Sequence, residues 1–259
     1  MTDEDTEILR AVERFCATVA VPVLHEPKPD VVDQVGTGTL FEVDGRLLLI
    51  TAGHIFDEID PEDLVIPSTK TTALQGIGPY DLYRPDVDEI DIAIVELKHP
   101  PSIEQARDGW RVLTLAMIAE PSVDGHFVLT GYPSERLTRK GSLLGGSLLA
   151  LHTERLPEPP PGAKKPAADD LDLFFKYGPE AEALNGRMVP VPKLPGCSGA
   201  PVWEYVEPAG MRFWSGDQCL RVVGIQSSYI DKKGFFRVKR WGYVRAMIDK
   251  LLRRGSSGV

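Results

Sequence analysis

The 259-residue chain predicts an all-β protein, and three observations carry that expectation. Short apolar or alternating runs recur along most of the sequence, turn residues separate them, and glycine and proline are plentiful, at 24 and 22. At least ten such runs can be counted, enough for two β-barrels or sandwiches. The length suits one large domain or two small ones, and 42% hydrophobic residues supply an ample core.

Residues 1–33 read as a helix and a connector. Thr2 is placed to cap a short helix whose apolar residues Ile8, Val12, Phe15 and Val19 fall at helical spacing. The proline-rich stretch from His25 to Asp33 then reads as the connector. A first β unit, 34–120, opens with "LFEV" and "RLLLI" around Asp44-Gly45, a pair suited to a tight hairpin because both positions accept positive φ. "DLVI", "DIAIVEL" and "WRVLTL" continue it. A second unit, 121–242, contains "HFVLTGY", "SLLALH", "DLFFKYG", "APVWEYV" and "RVVGIQSSY". Within it, 156–170 ("LPEPPPGAKKPAADD") reads as an exposed flexible loop. Residues 243–259 turn helical, with Val244, Met247, Ile248 and Leu251 on one face and Gly255 as a stop signal.

The net charge of −9 argues against a nucleic-acid binder, whose footprint is basic. The charge is unevenly spread: Lys232 to Arg254 carries +8 and the remainder −17. A solvated helix face accounts for that cationic run, and Lys250, Arg253 and Arg254 suit a last helical turn. Three cysteines, Cys16, Cys197 and Cys219, form no disulfide framework and no CxxC metal pair, so no metal or cofactor is expected. The acidic amino terminus lacks the features of a signal peptide, and no apolar stretch approaches the ~20 residues needed to span a bilayer. These features together predict a cytoplasmic protein with reduced thiols and no membrane partner.

One stretch raises a chemical question. "LPGCSGAPVW" sets Ser198 between glycines ahead of an apolar run, which suits a tight turn or a nucleophile. A serine hydroxyl attacks effectively only when a base removes its proton, and the base needs an orienting carboxylate. Of five histidines, His25, His99, His126 and His152 lie in connectors or at strand edges and suit surface or packing roles. His54 differs, since it follows "RLLLITAG" where an apolar run ends and the chain must turn sharply. Among the acids, Asp91 opens the apolar run "DIAIVEL", where an unpaired carboxylate is costly, whereas Asp88 and Glu89 lie outside that run and are expected to be exposed.

Taken in order, these residues resemble the chymotrypsin-like serine peptidases over about Val35 to Leu252. "GTGTLFEVDGRLLLITAGHIF" is similar to the family's glycine-rich strand, hairpin and histidine turn, and "DIAIVEL" to its aspartate strand. "GYP" resembles the start of the second barrel in many bacterial members, "GCSGAPV" the nucleophile turn, and "VVGIQSS" the strand lining the cleft. The resemblance implies two antiparallel six-stranded β-barrels with a cleft between them. It implies a serine endopeptidase in which Ser198 attacks, His54 shuttles the proton and Asp91 orients the imidazole. Gly196 and Ser198 would supply the backbone N–H groups of an oxyanion hole. Pro192 and Lys193 would begin the primary pocket, and Ser227, Ser228 and Tyr229 would pair with an extended protein or peptide substrate.

The sequence departs from that pattern in instructive places. Cys197 stands where zymogen-type members carry an aspartate, so ionic activation by a newly cut amino terminus is not expected, and intrinsic packing or an activating or restraining partner subunit must order the turn. The register places Ser198, and not the Cys197 thiol, at the attacking position. No aspartate marks the pocket floor, and Tyr229, at a position where the family often has glycine, would narrow its entrance. The chain ends in its helix, so no appended peptide-binding module is expected, and related stand-alone peptidases suggest a stress or antiviral setting. The alternative from another class is a catalytically idle barrel pair that binds a peptide or partner. A phosphate site at "GTGTL" is excluded because its glycines lead into a hairpin and not a helix.

Overall fold

The computed structural model describes residues 3–28, 31–68, 74–87, 89–140, 143–165, 167–183, 187–206 and 215–256. An amino-terminal helix, α1 (Asp3–Val19), leads into seven strands: β1 (Ala20–Lys28), β2 (Val31–Val43), β3 (Arg46–Thr51), β4 (Leu64–Pro67), β5 (Leu74–Gly76), β6 (Tyr80–Tyr83) and β7 (Ala93–Leu97). They form one antiparallel sheet in the order β5-β4-β1-β2-β3-β7-β6. Helix α2 (Pro100–Gly109) then crosses to β8 (His126–Gly131), followed by a small hairpin of β9 (Thr138–Lys140) and β10 (Leu143–Gly145). Next come β11 (Leu149–Thr153), β12 (Arg155–Leu156) and β13 (Asp172–Lys176), then a second hairpin of β14 (Glu180–Glu182) and β15 (Met188–Pro190). After β16 (Pro201–Tyr205), the short helix α3 (Gly216–Cys219), β17 (Leu220–Ile230) and β18 (Phe235–Arg240), the chain ends in α4 (Trp241–Ser256). The second sheet runs β11-β8-β16-β17-β18-β13-β12, so each half carries seven strands where six were expected.

Three apolar clusters hold this arrangement. Leu40, Leu47, Leu49, Ile55 and Val95 fill the first sheet, and Phe127, Leu129, Phe175, Val202 and Phe236 fill the second. The third cluster joins the halves. Val12, Phe15 and Val19 of α1 and Val244, Ile248 and Leu251 of α4 pack there with Phe41, Ile50, Trp203 and Val222. Phe15 meets Trp203 edge-on at 5.8 Å, and Phe41 lies 4.6 Å from Trp241. Each helix thus buries its apolar stripe across both sheets, which is where helices of this length gain most of their stability. Thr2, expected to cap α1, lies outside the described residues, and α4 runs one residue past Gly255.

Several local expectations met a stronger tertiary demand. The Asp44-Gly45 turn has φ +50° and +77°, as a tight hairpin requires. The proline-rich connector, by contrast, is mostly strand. His25 pairs with Asp33 and Lys28 with Val31, and a register shift between His25 and Lys28 absorbs Glu26 and Pro27. "WRVLTL" is not a strand. Pairing of β1 with β2 begins at Thr39, which leaves the next stretch of the β2 edge vacant. Leu113 fills it with two hydrogen bonds, to Leu40 and from Glu42, before a 3-10 turn at Leu115–Met117.

The cationic run 232–254 is only partly a helix face. Arg237 and Lys239 lie in β18 and are 7% and 2% exposed, because Asp172 of the neighbouring β13 meets them. Lys239 Nζ is 2.6 Å from Asp172 Oδ1, and Arg237 lies 3.7 Å from Oδ2. The same cations tie down the proline-rich loop. Arg237 donates to the Lys164 carbonyl, Lys233 to that of Gly162 and Arg240 to that of Asp169. Asp172→Leu leaves two buried cations without their carboxylate and is expected to lower the unfolding free energy by about 3–5 kcal/mol. Adding Lys239→Met should recover part of that loss, because the more closely paired cation is then removed with the carboxylate while Arg237 keeps its bond to the Lys164 carbonyl. Urea denaturation of the single and double variants checks both statements.

Candidate active site

Strand β3 ends at Thr51, and a 3-10 turn, Gly53–Asp57, lifts His54 out of the sheet into solvent-accessible space. Gly53 makes the next contact possible: a Cβ there would lie 3.3 Å from Asp91 Oδ1 and 3.1 Å from the Ile92 nitrogen. Asp91 precedes β7 and is mostly buried, with 16% of its side chain exposed. Its carboxylate accepts the His54 backbone N–H at 2.8 Å and sits 2.9 Å from Nδ1. On the other side of the ring, His54 Nε2 is 3.0 Å from Ser198 Oγ. Three side chains drawn from the turn after β3, the segment before β7 and the turn before β16 therefore form one hydrogen-bonded row. Asp88 lies outside the described residues, and Glu89 is exposed.

The electrostatics follow from that row. The hydrogen bond to Asp91 raises the His54 pKa above its ordinary value, against the opposing effect of burial. Burial works to raise the Asp91 carboxyl, but the bonds and charge of His54 outweigh it and hold the group below the usual carboxylate value. The buried cation Lys239 adds to the same side. An acceptor nitrogen thus faces a hydroxyl while an ionised carboxylate stands behind the ring. Such an arrangement can take a proton from Ser198 and hold the resulting imidazolium.

The turn carrying Ser198 is held in an unusual shape. Gly196 and Gly199 have φ +88° and +84°, in the left-handed region open to glycine. A Cβ on Gly196 would come within 2.6 Å of the Tyr132 carbonyl, and one on Gly199 would run into Thr51 Oγ1 and the Thr37 carbonyl. Cys197 N–H bonds to Leu194, Gly199 N–H to Gln226 and Ala200 N–H to Cys197. The N–H groups of Gly196 and Ser198 donate to no acceptor among the described residues. Cys197 is fully buried with Leu194, Ala200 and Val223, and burial pushes its thiol up to about 12. A thiol so placed is an inert core group.

The remaining predicted residues flank this turn. Pro192 is buried, with its carbonyl accepting the Tyr177 hydroxyl at 3.1 Å, and Lys193 is exposed. β16 pairs with β17 as far as Ile225, and the next residues continue along β18, with Ser228 opposite Arg237 and Tyr229 opposite Phe236. Ser227 sits at the register shift and is buried. The Tyr229 ring packs edge-on against Tyr177 at 5.9 Å. The other histidines are placed elsewhere: His25 faces Asp63, His99 bonds to Ser102, and His126 and His152 lie on β8 and β11.

Sequence reading missed Gln34, Thr37, Tyr132 and Ser134, all of which contact the serine turn. The "GTG" signal could have found them. A Cβ on Gly36 would lie 2.8 Å from the Ser198 carbonyl, so that glycine lets β2 press against the turn. No protein-family model matches the chain, and no curated protein matches its sequence. Solved structures do share its fold. The scabies mite inactivated protease paralogue S-I1 superposes with a TM-score of 0.57 at 15% identity, over 93% of this chain and 96% of that one. A mutant of human heparin binding protein gives 0.55 at 14% identity, over 91% and 92%. A chain from a structure on coupled folding and binding of the Sesbania mosaic virus VPg protein gives 0.50 at 15%, over 88% and 87%. At these identities the likeness is one of fold: two curled antiparallel half-barrels with a helix at each end, the chymotrypsin-like architecture.

Proposed function

We propose that this protein is a serine endopeptidase acting on a protein or peptide chain. The observation that carries the reading is the row Asp91–His54–Ser198, with contacts of 2.9 and 3.0 Å. In this reading the Ser198 oxygen attacks the scissile carbonyl carbon while His54 Nε2 takes the hydroxyl proton. The carbonyl oxygen gains the negative charge and is met by the N–H groups of Gly196 and Ser198. Collapse expels the amine, which leaves with the proton from His54, and water repeats the sequence to release the acid. Ser227, Ser228 and Tyr229, in the part of β17 beyond its pairing with β16, would offer that edge to an incoming strand, a mode that reads backbone before side chain.

A second reading deserves its place because one structural neighbour is named an inactivated protease paralogue. Under it, the two half-barrels bind a peptide or partner without cutting it. The filled row favours chemistry, since a scaffold that only binds has no use for a buried carboxylate behind an imidazole. Labelling separates the two. A fluorophosphonate should modify the wild-type protein and Cys197→Ala, and should leave Ser198→Ala untouched; a wild-type protein that never labels supports the binding scaffold.

The pH dependence of labelling follows from the raised His54. The imidazole is charged, and unable to accept the serine proton, below its midpoint. Asp91 moves that midpoint up, so the acid limb should lie above the ordinary histidine value of ~6.5. Asp91→Asn removes the leading cause of the shift. It should carry the midpoint downward and slow the reaction by on the order of 10⁴-fold, as loss of the orienting acid does in such triads. Rates measured from pH 5 to 9 on both proteins check the sign and the size.

A further inference from the structure

We infer that Thr37, assisted by Gln34, is a positioning residue that clamps, from the opposite half of the molecule, the Gly196–Cys197 and Ser198–Gly199 peptide planes, and so keeps the turn in the shape that presents the N–H groups of Gly196 and Ser198; the inference rests on the peptidase reading of the site. A trans peptide is planar, with its carbonyl and its N–H pointing in opposite directions. Whatever holds a carbonyl therefore also aims the N–H of the next residue. Around Ser198, four successive peptide planes are held in this way. Ser134 N–H bonds to the Pro195 carbonyl at 2.8 Å, which turns the Gly196 N–H away from Ser134. Cys197 N–H bonds to Leu194, and the other end of that plane, the Gly196 carbonyl, takes the Thr37 hydroxyl at 2.8 Å. Ala200 N–H holds the Cys197 carbonyl and so directs the Ser198 N–H. The last plane is gripped at both ends, Gly199 N–H to Gln226 and the Ser198 carbonyl by Thr37 N–H, at 2.7 and 2.8 Å.

Thr37 is the hub of this set. It is fully buried, and its Oγ1 accepts the Tyr132 N–H at 3.0 Å, so its own proton is directed to the Gly196 carbonyl. Its carbonyl takes the Thr51 hydroxyl at 2.8 Å, tying the hub to the strand that leads to His54. Gln34 Nε2 bridges the Tyr132 carbonyl and, at 3.4 Å, the Gly196 carbonyl. Cys197 is uncharged and buried, so no ionic anchor acts inside the turn. Flipping the Gly196 plane would break the Thr37 bond and leave a buried carbonyl unpaired, which is how a hydroxyl on β2 enforces a shape that Gly196 alone would not keep.

The experiment compares Thr37→Val, which keeps shape and loses the hydroxyl, with Thr37→Ser, which keeps it. Thr37→Val should slow fluorophosphonate labelling of Ser198 by about 10²-fold, within the range seen when one oxyanion donor is lost. The pH midpoint should stay at its wild-type value, because the His54–Asp91 pair is untouched, and Thr37→Ser should label close to the wild-type rate. Amide hydrogen exchange over 194–199 should quicken in Thr37→Val alone. If Thr37→Val does not fold, as judged by circular dichroism, Gln34→Leu takes its place with the same expected direction. Wild-type labelling and exchange in Thr37→Val, or slow labelling in Thr37→Ser, overturns the inference. A wild-type protein that never labels overturns the peptidase reading instead, and the exchange measurement then decides the hub by itself.

Discussion

The close approach of β2 to the turn at 195–199 is the constraint from which the site's geometry follows. Gly36 on β2 removes the side chain that would keep strand and turn apart, Gly38 one that would run into Leu49 of β3, and the Thr37 between them uses every polar atom it has. This contact joins the two sheets where the candidate nucleophile from one must meet the base from the other. The larger apolar seam through Phe15, Phe41, Trp203 and Trp241 fixes the halves relative to each other. Apolar packing sets that spacing without direction, and the hydrogen bonds of Thr37 add the direction.

Charge placement obeys the same division of labour. The chain is acidic overall, yet three of its cations are drawn to one buried or half-buried region of the second sheet. Asp172 neutralises Lys239 and Arg237 there, while Arg237, Lys233 and Arg240 hold the backbone of a loop with no apolar periodicity. The loop is positioned by donors on β18 and the turn before it and not by burial of its own side chains. Asp91 lies within reach of the Lys239 field, so the ion cluster that pins the loop also favours the ionised carboxylate behind His54.

Legibility of the sequence tracked how local each determinant is. The hairpin at Asp44-Gly45, the apolar stripes of α1 and α4 and the strands at 126–131, 172–176 and 201–205 could be read because neighbours a few residues apart decide them. Residues 25–28 misled because proline ordinarily breaks a strand, whereas a register shift accommodates Pro27 within a paired one. β18 was hidden because Arg237 and Lys239 look solvated until Asp172, 67 residues before Lys239, is placed beside them. α2 was missed since its buried face is mostly small, with Ser102 and Ala106 fully covered.

For the site, the order of a histidine after an apolar run, an aspartate before one and a serine between glycines belongs to the sequence, because each is a local mark of a strand end or a sharp turn. The distances among them, 37 and 144 residues apart along the chain, were decided only when two sheets packed and β2 reached the turn. So were the burial of Cys197 and the pinning of four peptide planes around Ser198. Sequence specifies which backbone conformations each segment can adopt; only tertiary packing decides which segments touch, and hydrogen bonds between remote segments have no signature in the residues nearby.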